Sequence, residues 1–241
     1  DIKRLRRANM NKYFDYFGNL SKSGVYQSVG KNAIDRASSY AKEWVKENPS
    51  LYSGRNQGNL TTVLEQLTHG KIAEEALKEL FRKNNIETSD PDYTVMPEKE
   101  KKKGKWKHDA DLVIHKDGKS YKIHKKTRSV KNAVNWNNIS WLMENNCIKK
   151  SKFDENDYIC GGLIFQENND YFAHCIFLTG FKMLDAQKNE LFGPTDDKGK
   201  NSKKALYYDK IPDNVRSVGF KNTILSSQIE NMELFKELKL C

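Results

Sequence analysis

The dipeptide Asp117-Gly118 constrains this chain more than any other feature. It lies inside "HDADLVIHKDGKSYKIHKKTRS", His108 to Ser129, where alternating apolar and polar residues run up to it and away from it. Asp-Gly between such runs is the strongest short signal for a two-residue β-hairpin, since its turn needs positive φ. With the turn there, cross-strand partners have residue numbers adding to 235, so Asp111 faces His124 and Asp109 faces Lys126. Alternation then sorts two faces. Leu112, Ile114, Tyr121 and Ile123 make a core-like face, and Asp109, Asp111, His124 and Lys126 make a polar quartet. A slip of one residue would scatter both sets.

Carboxylates, an imidazole and an ammonium on one face have a chemical use. Aspartate oxygens suit Mg²⁺, which keeps several waters and accepts phosphate oxygens into its shell. Such an ion lowers the pKa of a bound water and neutralises charge building on a phosphate, while Lys126 would hold the water or a phosphate oxygen. Hydrolysis of a phosphodiester needs these parts. The plainer alternative is a solvated hairpin whose charges face water and pair across the strands.

Whole-chain properties fit either reading. A chain of 241 residues holds one sizeable domain, or a domain with a subdomain. Lys and Arg outnumber Asp and Glu by 42 to 32, a net +10 that suits a polyanionic partner or simply marks a basic protein. Cys147, Cys160, Cys175 and Cys241 lack CxxC spacing, so neither a zinc site nor a disulfide framework is expected, and a reducing, cytoplasmic setting fits. No apolar run approaches the ~20 residues of a membrane span, and "DIKRLRR" leads into polar and aromatic residues rather than a signal-peptide core. A soluble chain without a membrane partner is expected. No Ser-His-Asp arrangement, phosphate-cradling glycine loop or dinucleotide fingerprint occurs, so no nucleotide cofactor is expected either.

Periodicity sets the organisation. Ala33, Ala37, Ala41 and Trp44 recur at helical spacing in a helical region running from Asn9 to about Asn48 and closed by Pro49. After the loop "SLYSGRNQGN", a helix from about Leu60 to Asn84 carries the stripe Val63, Leu64, Leu67, Leu77, Leu80 and Phe81, with Glu74 on the stripe and Glu75 to one side. Strands are expected at "YTVM", "ADLVI" and "SYKIHKKT", then a helix at "SVKNAVNWNNISWLMENN", then strands "YICGGLIF" and "YFAHCIFLTGF" around the turn "QENND". The tail after Phe192 reads as loop. The fold class is α/β or α+β, a mixed central β-sheet flanked by helices. Residues 1–59 form a helical N-terminal region, 60–185 the core, and 186–241 an extension packed on it.

Three motif pieces in this order carry a family resemblance. "GKIAE" with Gly70 and Glu74, "DADLVI" with Asp111, and "IHKKT" with His124 and Lys126 together resemble the PD-(D/E)XK nuclease superfamily of restriction endonucleases, repair nucleases and Holliday-junction resolvases. The likeness spans about residues 60–180. It implies a restriction-endonuclease-like core with Asp111 as principal metal ligand, Glu74 as auxiliary acid and Lys126 as the ammonium beside the attacking water. His124 stands where the family carries Glu or Asp. There it would ligate metal together with Asp111 and Glu74, orient water, or act as a base; imidazole nitrogen suits Mn²⁺ better than Mg²⁺.

The resemblance thus implies a metal-dependent endodeoxyribonuclease cutting duplex DNA, of the prokaryotic type II restriction kind and homodimeric. A non-catalytic DNA-binding protein on a degenerate nuclease fold, or a nuclease for RNA or branched DNA, are the alternatives. Candidate DNA contacts are Lys103, Lys105 and Lys107 before the Asp strand, Arg128, Lys131, Asn137 and Asn138 after the Lys strand, and Arg55 with Asn56 in "GRNQGN". Lys and Arg would neutralise phosphates, and Asn can read adenine edges. Trp136 either stacks on a base or packs in the core with Val130, Val134, Ile139 and Trp141. His69 is expected at the surface or in a cap, and His108, His115 and His174 in structural roles.

Overall fold

A computed structural model of the chain describes residues 26–50, 59–83, 85–103, 110–116, 118–130, 140–144, 157–167, 170–180, 192–193 and 203–207. Strand β1 (Tyr26–Val29) leads into helix α1 (Lys31–Glu47), and helix α2 (Leu60–Lys83) follows. A short helix α3 (Glu98–Lys102) precedes strands β2 (Leu112–Lys116) and β3 (Lys119–Val130). After these come β4 (Ser140–Glu144), β5 (Asp157–Glu167), β6 (Asp170–Gly180), β7 (Phe192–Gly193) and β8 (Lys203–Tyr207). The protein is α+β, with its helices set against a mixed sheet.

Local chemistry explains the helices. Along α1, Ala37, Ala41 and Val45 recur every four residues and are the positions that become buried. The Asn48 side chain donates to the Trp44 carbonyl at 2.9 Å and closes that helix before Pro49. At the start of α2, the Asn59 Oδ1 accepts the Thr61 backbone N–H at 2.9 Å, an N-cap bond. At its end the left-handed Asn85 (φ 58°) lets its own N–H reach the Arg82 carbonyl and that of Ile86 the Phe81 carbonyl. This paired pattern is a Schellman cap, and Ile86 packs beside Phe81 in one apolar cluster.

The main sheet has the order β1-β6-β5-β3-β2. β2 and β3 form the hairpin expected from Asp117-Gly118: Leu112 pairs with Ile123, Val113 with Lys122 and Ile114 with Tyr121, the register adding to 235. Gly118 has φ 73°, as this turn requires. β3 runs parallel to β5, with the intervening chain as crossover, and β5 and β6 are antiparallel with a register shift at Gly161/Gly162. Leu77, Leu80 and Phe81 of α2 pack onto Leu112, Ile114, Tyr121, Ile123, Tyr158 and Cys160. α1 packs on α2, and Ala37, Ile72 and Ile164 make a second cluster.

Several expectations are corrected. Tyr26–Val29 is a strand on the edge of the main sheet, where a continuous helix was expected, because its backbone pairs with Tyr171 to His174 of β6. "YTVM" is not a strand; an isolated bridge to Ile114 is made instead by Thr88, upstream of it. The helix expected at "SVKNAVNWNNISWLMENN" is overridden at Ser140–Glu144, which is β4, paired antiparallel to β8. β7 and β8 lie within the supposed loop-rich tail and join β4 in a three-stranded sheet. Trp141 is core, 2 % exposed, and donates its indole N–H to the Gly162 carbonyl at 2.9 Å. No helix among the described residues is long and apolar enough to cross a membrane.

Candidate active site

Of the carboxylates singled out by sequence, Glu74 and Asp111 lie near enough for the Asp111 charge to act on Glu74. Glu74 projects from the sheet-facing side of α2 and is 7 % exposed, while Asp111 sits just before β2. The Asp111 N–H donates to the Ile123 carbonyl at 2.9 Å, and its Oδ2 accepts the Lys125 N–H at 2.6 Å. The carboxylate therefore continues the β2/β3 ladder one step past the strand and is locked there. Burial, reinforced by the Asp111 charge, pushes Glu74 up to about 8 against the pull of Lys71. Asp92 adds a further, smaller push.

Two members of the quartet, His124 and Lys126, go elsewhere. Alternation along β3 puts Tyr121, Ile123 and Lys125 on the face toward α2, and His124 and Lys126 on the reverse face. His124 Nε2 lies 2.6 Å from Asp157 Oδ1, and that pair is nearly buried, with side-chain exposures of 13 % and 5 %. Asp111, His124 and Lys126 thus share a register but not a face, because Asp111 lies beyond the end of β2 and turns its carboxylate to the Lys125 backbone. Lys125 is the lysine on the side of the acids. It pairs in register with Cys160, and its positive charge favours the Cys160 thiolate.

Around Glu74 lies a shell of which the motif contains one member, Lys71. Lys71 Nζ bonds Glu74 Oε2 at 2.6 Å, both side chains being about one-tenth exposed. The same ammonium sits 5.0 Å from the Tyr40 ring centroid and 5.6 Å from that of Tyr93, within cation–π range. Burial, then the Glu74 charge, pushes the Tyr40 hydroxyl up to about 12. Glu75, expected to one side, is also buried: its Oε1 accepts from Arg36 at 2.7 Å and from the Tyr93 hydroxyl at 2.9 Å. On the sheet, Cys160 and Cys175 are free thiols with sulfurs 3.4 Å apart. Burial acts to raise Cys160, but the Cys175 hydrogen bond and the Lys125 charge outweigh it and bring it down to about 7.

The remaining candidates are dispersed. Lys103 pairs with Glu100 at 2.9 Å on α3, and Arg128 reaches the Ser140 carbonyl and hydroxyl at 3.3 Å. His69 is buried rather than superficial, its Nδ1 2.5 Å from Ser129 Oγ and its ring edge-on to Tyr171. Asp109, Arg55, Asn56, Lys105, Lys107, Lys131, Asn137, Asn138, Trp136 and His108 lie outside the described residues. Among the described residues, no group of three or more His, Cys, Asp or Glu side chains is arranged to hold a metal ion. Two carboxylates, a lysine on each side and a buried polar floor are what the site offers. No protein-family model and no curated protein sequence matches the chain.

Proposed function

We propose that the protein is a metal-dependent endodeoxyribonuclease of the PD-(D/E)XK kind, with its active site on the α2-facing side of the β2/β3 hairpin. One observation carries the reading: two acids from separate elements, Glu74 and Asp111, are held close enough for the Asp111 charge to raise the Glu74 carboxyl, with Lys125 on the adjacent strand. Element order supports it too. A helix bearing the Gly70-to-Glu74 motif precedes an Asp-bearing hairpin, whose second strand runs parallel to a later one across a crossover. The helix and hairpin follow the order that the family resemblance implies, while β4 stands where that resemblance implies a helix.

The donor chemistry suits a hard divalent cation. Mg²⁺ is commonly held by one or two carboxylates, with waters and substrate phosphate filling its shell, so Asp111 and Glu74 suffice as protein ligands. With His124 turned to Asp157, oxygen donors remain and the reason to favour Mn²⁺ falls away. When bound, the ion supplies a water of lowered pKa and charge neutralisation at phosphorus. Lys125, in the role first given to Lys126, orients the attacking water or a phosphate oxygen with its ammonium. The net charge of +10 favours association with the DNA backbone. Cleavage of both strands at a short symmetric site would use a homodimer, as type II restriction enzymes do.

The test is incubation of the protein with supercoiled plasmid, single-stranded DNA, RNA and a four-way junction, with Mg²⁺, with Mn²⁺ and with EDTA. Metal-dependent conversion of plasmid to nicked and linear forms is expected. Binding without cleavage in either metal would favour a DNA-binding protein on a nuclease fold, and cleavage of RNA or junctions alone would move the substrate class.

A further inference from the structure

Lys71 is the least expected member of the site. A lysine one-tenth exposed is unusual unless paired, and this one pairs with the acid that the motif assigns to metal. Its ammonium has two kinds of partner: the Glu74 carboxylate at 2.6 Å, and the rings of Tyr40 and Tyr93 at 5.0 and 5.6 Å. The rings are themselves fixed, meeting edge to face at 5.8 Å, with the Tyr93 hydroxyl tied to Glu75. An ammonium between a carboxylate and an aromatic pair can give up the first and still be held by the second. Without a cation there, Glu74 and Asp111 would be two neighbouring acids in a dry site, an arrangement that is costly when both are charged.

We propose that Lys71 is a built-in counter-cation, which pairs with the Glu74 carboxylate whenever that acid is ionised without metal and sets metal affinity by competing for it. The inference rests on the metal reading given above. Lys71 is a positioning residue: it touches a ligand of the ion, not the reacting phosphate. Metal entry exchanges one cation for another at Glu74, while Tyr40 and Tyr93 keep the displaced ammonium in place. The device keeps a buried acid pair stable in the empty protein, at the expense of weaker metal binding.

Mn²⁺ binding to the DNA-free protein at pH 9 under argon, where Glu74 is ionised, followed by the loss of the free-ion electron paramagnetic resonance signal, reads this without cleavage. Lys71→Met should tighten Mn²⁺ binding by at least about tenfold, because it removes a positive charge a few ångströms from the ion. Lys71→Arg, which keeps the charge, should stay within about threefold of the wild type. Should Lys71→Met fold poorly, Lys71→Gln removes the charge but keeps a donor to Glu74, and it should tighten binding in the same direction. Unchanged or weaker binding in the neutral variants, with the wild type binding normally, overturns the inference and leaves the nuclease reading standing. Absence of Mn²⁺ binding in the wild type overturns both.

Discussion

Exchanging His124 for glutamate separates the two faces of β3 more sharply than any other substitution. On the motif, a carboxylate at 124 would complete the metal site; on the structure, it would be driven against Asp157. Asp157 is 4 % exposed, and His124 Nε2 is 2.6 Å from its Oδ1. His124→Glu removes the hydrogen bond and leaves a buried acid facing a like charge. Stranding a buried polar group costs about 1–3 kcal/mol and breaking a buried ion pair about 3–5, so a loss near 3 kcal/mol is expected, where the ranges meet. For a chain of this size that is roughly 6–12 °C in Tm. Urea and thermal unfolding followed by circular dichroism would show it, with cleavage measured below the new midpoint. Metal dependence should be unchanged. A variant as stable as the wild type, with a lower Mg²⁺ requirement, would refute the assignment of His124 to the reverse face.

Four further outcomes are expected. Lys125→Met should slow cleavage about 10²–10³-fold, the usual loss when one preorganised donor to developing charge is removed, while Lys126→Met cuts at nearly the wild-type rate; single-turnover kinetics on one duplex decides it. Glu74 is raised from 4.5 to about 8 on folding, so the folded state binds the extra proton between those values. Stability of the metal-free protein should therefore fall as pH rises through that window, by up to about 1.4 kcal/mol per pH unit, and Glu74→Gln should flatten the trend in urea midpoints. Trp141→Phe, which leaves the Gly162 carbonyl without its indole donor, should cost about 1–3 kcal/mol in the same assay.

Much of the sheet was legible because a two-residue turn fixes everything around it. Asp117-Gly118 dictates a register, and the register dictates that Leu112, Ile114, Tyr121 and Ile123 share the core face. The same alternation, continued two residues, puts Lys125 on that face, so the lysine of the site was readable from parity; the motif spacing pointed to Lys126 instead. The position of Asp111 was not readable in this way, since it lies past the last strand pair, where a backbone hydrogen bond rather than the pleat aims the carboxylate. Lys71 stands three residues before Glu74, so that pairing was legible from helical spacing, whereas Tyr40 and Tyr93 arrive from another helix and a loop, a proximity that no local pattern records. Ser140–Glu144 shows the opposite failure. Its helical periodicity was real, but pairing with Lys203–Tyr207, some sixty residues on, outweighs local preference.

The proposed hydrolysis of phosphodiesters centres on Asp111, at the open end of the hairpin and near Glu74. Asp111→Asn tests it most directly, because the amide can still accept the Lys125 N–H and keep the backbone geometry while the negative charge needed to hold a divalent cation is gone. Plasmid nicking and duplex affinity are to be measured side by side in Mg²⁺. Nicking should be lost while DNA is bound as tightly as by the wild type, or more tightly, one repelling charge having been removed. A variant that nicks at the wild-type rate would contradict it.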